Sequence, residues 1–75
     1  MDELRTYLIE VGGEAAEADL NATSPVRVSV VRVGGGSTLL TARADQSALM
    51  GLLRYLHGLG FAIRAVSRDR GGGVR

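Results

Sequence analysis

The sequence contains no cysteine, no tryptophan and no lysine, and it has a single histidine and a single proline. Without cysteine the chain can form neither disulfides nor thiolate metal sites, and one histidine is too few for a structural zinc site. The spacing of the sequence identifies no nucleophile or acid as a partner of His57, so we assign no catalytic residue. We expect a protein that is not an enzyme and that uses neither a cofactor nor a metal ion.

Long hydrophobic runs are also absent. No stretch approaches the ~20 apolar residues that a membrane-spanning helix needs. The first ten residues, MDELRTYLIE, are acidic where a signal peptide is basic. We therefore expect a cytoplasmic protein that does not bind a membrane.

The charge is nearly balanced overall but unevenly distributed along the chain. The formal net charge is +1, which is too small to predict a nucleic-acid-binding protein. Residues 1–22 contain six acidic residues and one arginine, whereas residues 23–75 contain eight arginines and two acidic residues. This asymmetry either steers two copies towards each other or is an ordinary solvated surface. A chain of 75 residues has a thin stability margin, and burying apolar surface against a second copy is a common way to increase it.

The segment 45–66 carries the strongest structural pattern in the chain. Asp45 is a good helix N-cap, because its carboxylate can accept hydrogen bonds from the free N–H groups of the first turn. Leucines that recur every three or four residues form one apolar stripe: Leu49, Leu52, Leu53, Leu56 and Leu59. Gly60 suits the left-handed residue that ends a helix. The pattern predicts a helix over 46–59 followed at once by a β-strand over 61–67.

Shorter elements precede this helix. Alternating apolar residues and good helix formers predict strands over 4–11, 26–33 and 37–44 and a short helix over 14–20. The resulting order is that of the ferredoxin-like βαββαβ fold, an α+β sandwich, with a short first helix. We expect a single domain over residues 1–67, and the Gly- and Arg-rich residues 68–75 should form a disordered tail.

The two strands on either side of Gly34–Gly36 should form a β-hairpin. A three-residue loop predicts these pairs: Val33 with Ser37, Val31 with Leu39, Ser29 with Thr41 and Arg27 with Arg43. In this register the valines, leucines and alanines that alternate with them share a buried face. Uncovered apolar sheet surface usually marks a partner. The outer face therefore carries the predicted self-association patch: Val31, Val33, Leu39 and Thr41.

Two arginines of the same hairpin, Arg27 and Arg43, are the candidate anion-binding residues, because neighbouring guanidinium groups can hold a phosphate or a carboxylate.

Sheets of this fold bind RNA through aromatic residues of their central strands, and the 37–44 strand has none. Nucleic acid is therefore not an expected partner. The segment 34–38 (GGGST) looks like a phosphate loop, but a strand follows it and lysine is absent, so we interpret it as the hairpin loop.

Residues 37–67 resemble the C-terminal part of a group of small uncharacterised bacterial proteins. The matching residues follow a pattern close to DQxALxGLL…LGL: Asp45-Gln46-Ser47-Ala48-Leu49, Gly51-Leu52-Leu53, Leu59-Gly60-Phe61 and Val66. The chain departs from the pattern at Gly58, where an acidic residue is common, and in its N-terminal third. The resemblance implies a hairpin, a helix and a strand in this order, and it makes Gly51 part of the pattern. The group has no assigned activity, so the resemblance implies no function.

The leading hypothesis is a non-enzymatic interaction or accessory module that self-associates, with a dimer favoured, or that binds a larger protein. The alternative is an ACT-like sensor domain, which shares this topology and binds amino acids or other anionic ligands at a subunit interface. Its ligand would lie against Gly12 and Gly13 after the first strand, with Arg27 or Arg43 holding a carboxylate.

Overall fold

A computed structural model describes residues 3–69 of the chain. The elements are, in chain order, β1 (Arg5–Gly12), α1 (Glu17–Asn21), β2 (Val28–Gly34), β3 (Ser37–Ala44), α2 (Gln46–Gly58) and β4 (Ala62–Arg68). The four strands form one antiparallel sheet in the order β2-β3-β1-β4. The protein is therefore a small α+β fold with one sheet and two helices.

Both helices pack on the same face of the sheet. Alternate residues of the strands point to this face and meet Leu20 of α1 and the leucine stripe of α2 in one core. The buried apolar side chains are Ile9, Val11, Leu20, Val28, Leu40, Ala42, Ala44, Leu49, Leu52 and Leu56. Both helices lie on this side, so the opposite face of the sheet has no covering layer among the described residues.

Helix α2 begins and ends within one residue of the predicted positions. The Asp45 carboxylate accepts a hydrogen bond of 2.8 Å from the backbone N–H three residues on. At the other end Gly60 has a φ of 99°. Two hydrogen bonds close the helix there, from Gly60 N to His57 O at 2.9 Å and from Phe61 N to Leu56 O at 3.2 Å. These bonds are the two that define a Schellman motif, so both the predicted N-cap and the predicted stop are confirmed.

The turn between β2 and β3 is one residue shorter than predicted. Gly34 pairs with Ser37, and only Gly35 and Gly36 lie in the loop, with φ of 63° and 81°. Positive φ at both central residues is the requirement of a type I′ turn, whose twist matches that of the flanking strands. Glycine adopts this conformation without strain. The predicted three-residue loop, with Val33 opposite Ser37, is therefore wrong.

A β-bulge at Val31 restores the predicted register further from the turn. Its two neighbours pair with consecutive residues of β3, so Val31 has no partner of its own. The predicted pairing of Val31 with Leu39 is wrong, whereas that of Ser29 with Thr41 is confirmed. One extra residue in the strand compensates for a loop that is one residue shorter, which keeps the first half of β2 facing the core.

Most of the other boundaries differ from the sequence predictions by one to three residues. Helix α1 begins at Glu17 instead of 14, β2 begins at Val28 instead of 26, and β4 includes Arg68 from the predicted tail. The helix begins late because Ala15 N donates to Thr38 Oγ1 at 3.0 Å, which holds the preceding loop against β3. Arg68 is ordered in the strand because it pairs with Tyr7. Residues 70–75 of the predicted tail lie outside the described residues.

Thr38 is the one buried polar side chain among residues 3–69. Its Oγ1 donates to Gly13 O at 2.8 Å and accepts the bond from Ala15 N. Both partners belong to the loop between β1 and α1. This single hydroxyl therefore attaches that loop to the central strand β3.

We predict that Thr38→Val lowers the free energy of unfolding by about 1–3 kcal/mol, because valine keeps the shape but leaves the two loop groups unpaired. Urea unfolding followed by circular dichroism measures the difference. Thr41→Val is the matched control on the same strand, since Thr41 forms no side-chain hydrogen bond within residues 3–69. The control should change the free energy by less than about 0.5 kcal/mol. An equal effect of both substitutions would contradict the role assigned to Thr38.

Candidate interaction surface

The face of the sheet opposite the helices is called the open face here. Its side chains alternate with the buried ones: Thr6, Leu8 and Glu10 of β1, Leu39, Thr41 and Arg43 of β3, and Ser29, Val31 and Arg32 of β2. Leu8 and Leu39 are diagonal neighbours on the two central strands and are half-buried, and Val31 in the bulge beside them is 58% exposed. No element formed by residues 3–69 packs over them, so an apolar strip crosses this face from β1 to β2.

Three of the four predicted patch residues share the open face. Leu39 and Thr41 lie on it by the alternation of β3, and Val31 lies beside Leu39 in the bulge. Val33 does not join them. It pairs with Thr38, whose side chain is buried under the helices, so Val33 belongs to the other face, where it is 43% exposed. The bulge shifts the alternation by one residue, and Arg32 takes the position opposite Leu39.

Side chains of α1 close the outer edge of β2. Asn21 Oδ1 accepts from Val28 N at 2.8 Å, and Asn21 Nδ2 donates to Val28 O at 2.9 Å. Glu17 Oε1 accepts from Val30 N at 2.8 Å. These backbone groups are the ones that a strand of another chain would use. The sequence prediction missed this role: the i, i+4 spacing of Glu17 and Asn21 is visible, but nothing local indicates which strand the helix flanks.

The other edge strand, β4, carries two features that discourage pairing with another strand. A β-bulge at Arg64 interrupts its ladder with β1, because Ala65 pairs with Glu10 while Ile63 pairs with the next residue of β1. Arg64 and Arg68 are both exposed charges on this strand. Bulges and exposed charges are established ways to protect a sheet edge. The open face is therefore the apolar sheet surface that remains unprotected.

A shallow cleft of about 310 Å³ lies at one end of the open face. It is lined by Thr6, Arg27, Ser29, Thr41, Ala42 and Arg43. The structure thus brings together the two predicted anion-binding arginines. No carboxylate lines the cleft, and neither Arg27 nor Arg43 forms an ion pair within residues 3–69.

Gly12 and Gly13 lie at the opposite end of the sheet from this cleft. Arg43 pairs with Thr6, so six residues of β1, or ~20 Å, separate it from Gly12. Gly13 is also engaged within the chain, because its N–H donates at 2.7 Å to a turn carbonyl and its own carbonyl accepts from Thr38. The structure does not bring the glycines and arginines of the predicted ACT-like site into one pocket.

The histidine and the glycine-rich segment lie outside the cleft at the end of the open face. His57 is exposed in the last turn of α2. Among residues 3–69 no group of three or more His, Asp or Glu side chains is arranged to hold a metal ion. None of the helices in this range is long and apolar enough to cross a membrane. The glycine-rich segment 34–38 is a hairpin turn, in which Gly36 N donates to Glu14 at 2.9 Å.

Comparison with known proteins gives no relative, since no family model, no curated protein and no solved structure matches this chain.

We predict that Asn21→Leu opens the edge of β2. Loss of both hydrogen bonds to Val28 should lower the free energy of unfolding by about 1–3 kcal/mol. The freed strand edge should also cause concentration-dependent aggregation, which dynamic light scattering detects. Ala18→Leu adds the same side chain to an exposed position of α1 and is the control. Light scattering by Asn21→Leu that matches the control would contradict the edge-closing role.

Proposed function

We propose that this protein is a non-enzymatic interaction module with a ferredoxin-like βαββαβ fold, and that it buries its open face against a second copy of itself. The observation that carries the proposal is the apolar strip of Leu8, Val31 and Leu39 on a sheet face that no described element covers. Apolar surface of this kind on a small domain is typical of an interaction site.

The path of the chain supports the fold. Strands β1 and β2 flank β3, and strands β3 and β4 flank β1, so each helix connects two strands that have a third between them. Every neighbouring pair is antiparallel. This is the connectivity expected of a βαββαβ chain. Helix α1 has only five residues, so its half of the helical layer is thin.

Glu10 and Arg43 on the open face favour one orientation of a second copy. Arg43 lies at one end of the face, and Glu10 lies four residues of β1, or ~13 Å, towards the other end. Neither forms an ion pair within residues 3–69. A two-fold axis that sets the strands of the two copies antiparallel brings each Glu10 towards the Arg43 of the other copy. A parallel arrangement would place the two Arg43 side chains against each other.

The size of the open face sets the expected affinity. Four strands of about seven residues give a face of about 19 Å by 23 Å. Two such faces bury about 900 Å², which is below the ~1,200 Å² of standard stable interfaces and typical of weak, transient complexes. We therefore expect a dissociation constant in the micromolar range.

The geometry gives less support to the ACT-like alternative. That site would need Gly12 and Gly13 beside Arg27 or Arg43, and the length of β1 separates the two pairs. A larger protein with an apolar, acidic surface is the other occupant that the open face could take, and an oligomerisation measurement distinguishes it from a second copy.

We predict that the wild-type protein associates reversibly and that the double variant Val31→Asp with Leu39→Asp stays a monomer. Each change places a carboxylate in the apolar strip, where the interface would bury it without a partner. Light scattering on a sizing column measures the mass of wild type and variant over the micromolar range, with and without the residues after Asp69, since β4 runs to Arg68 and Asp69 N donates to Thr6 O.

A matched control separates the open face from the rest of the surface. Met50 and Leu59 are 49% and 50% exposed on the helical side, so Met50→Asp with Leu59→Asp makes the same chemical change elsewhere. The control should keep the wild-type mass. Equal masses of the two double variants would refute self-association through this face. A wild type that stays a single chain up to ~1 mM protein, a concentration at which only the weakest specific complexes remain dissociated, would refute it as well.

A further inference from the structure

The cleft at the end of the open face combines two cationic side chains with three hydroxyl groups. Arg27 and Arg43 supply the guanidinium groups, and Thr6, Ser29 and Thr41 supply the hydroxyls. We propose that this cleft binds a phosphate group, either inorganic phosphate or the phosphate of a small ester. The inference does not depend on the proposed self-association, because all five side chains belong to one chain.

The two arginines face each other, and no carboxylate lines the cleft between them. Continuing the pairing of Val28 with Ala42 by one residue places Arg27 opposite Arg43. Like charges at facing positions destabilise a sheet. The ion pair between Arg5 and Glu3 involves neither of these arginines. A bound anion would replace this repulsion by two attractive, charge-assisted contacts.

The number of donors favours phosphate over a carboxylate. A carboxylate carries one charge and two oxygens, and a single arginine can bind both oxygens. A phosphate group carries a charge of about −1.5 to −2 at neutral pH and at least three acceptor oxygens. It therefore matches two guanidinium groups and leaves acceptors for the hydroxyls of Thr6, Ser29 and Thr41.

The shape of the cleft limits the size of the ligand. Its volume of about 310 Å³ lies at the lower end of small-molecule sites. No aromatic side chain lines it, since Tyr7 pairs with Ala42 and so lies on the face covered by the helices. A nucleobase would have no ring to stack on. The cleft suits phosphate with a small substituent better than it suits a nucleotide.

Titration of the full chain with inorganic phosphate, O-phosphoserine and acetate tests the proposal. Amide shifts of the ¹⁵N-labelled protein are followed at low ionic strength, where screening is weakest. We expect saturable shifts at Ser29, Thr41 and Arg43 with phosphate and phosphoserine, and much weaker binding of acetate. No saturable shift at millimolar phosphate would overturn the site, and equally tight acetate would overturn its assignment to phosphate. Tighter binding of phosphoserine than of phosphate would support an ester as the ligand.

Three arginine variants separate the cleft from general charge. Arg27→Gln and Arg43→Gln should each weaken phosphate binding by about tenfold or more, because each removes one charged fork. Arg54→Gln removes the same charge from the exposed side of α2 and should change the affinity by less than about twofold. Arg43→Lys keeps the charge but not the fork, so it should also weaken binding. Equal losses in Arg54→Gln and Arg43→Gln, or wild-type affinity in Arg43→Lys, would contradict the two-arginine geometry.

The protein concentration distinguishes this site from the self-association. If the protein also self-associates, the same titration should give weaker phosphate binding at about 500 than at about 50 µM protein, because the dimer buries the open face on which Thr41 and Arg43 lie. A protein that stays monomeric should give one phosphate affinity at both concentrations. A monomeric protein that binds phosphate would refute the proposed function and leave this inference standing. Binding that appears only at the higher concentration would overturn the single-chain site and leave self-association intact.

Discussion

One constraint determines the rest of this structure: 75 residues supply enough apolar side chains for one core between one face of a sheet and its helices. Ten apolar residues fill that core, and α1 contributes only Leu20 to it. A helix of five residues cannot cover half of a sheet, but it is long enough to close the β2 edge through Glu17 and Asn21. The uncovered face then keeps a short apolar strip with charged groups around it.

The parts of the fold that the sequence predicts best depend on neighbours along the chain. Asp45 and Gly60 delimit α2 because caps involve groups three to five residues apart. The hairpin was less predictable, since consecutive glycines permit either a two-residue or a three-residue loop. The bulge at Val31 that compensates for the shorter loop is decided by packing of β2 on the core, which no local pattern reveals. For this reason the register predicted from the sequence puts Val33 on the wrong face.

The candidate site shows the same division between local and tertiary information. Arg27 and Arg43 line one cleft even though the predicted loop is wrong, because the bulge restores the register between the turn and Ser29. The contribution of α1 to the β2 edge depends on the path of the chain between them. The separation of Gly12 from Arg43 likewise follows from strand order, not from any pattern within a strand.

The most direct test of the central claim is the concentration dependence of the methyl spectrum of the wild-type protein. If the open face binds a second copy, the methyl resonances of Leu8, Val31 and Leu39 shift together from about 20 µM to about 1 mM, with one micromolar dissociation constant. Methyl groups on the helical side, at Met50 and Leu59, should keep their positions. Shifts confined to Met50 and Leu59, or a spectrum that does not change over this range, would contradict the account.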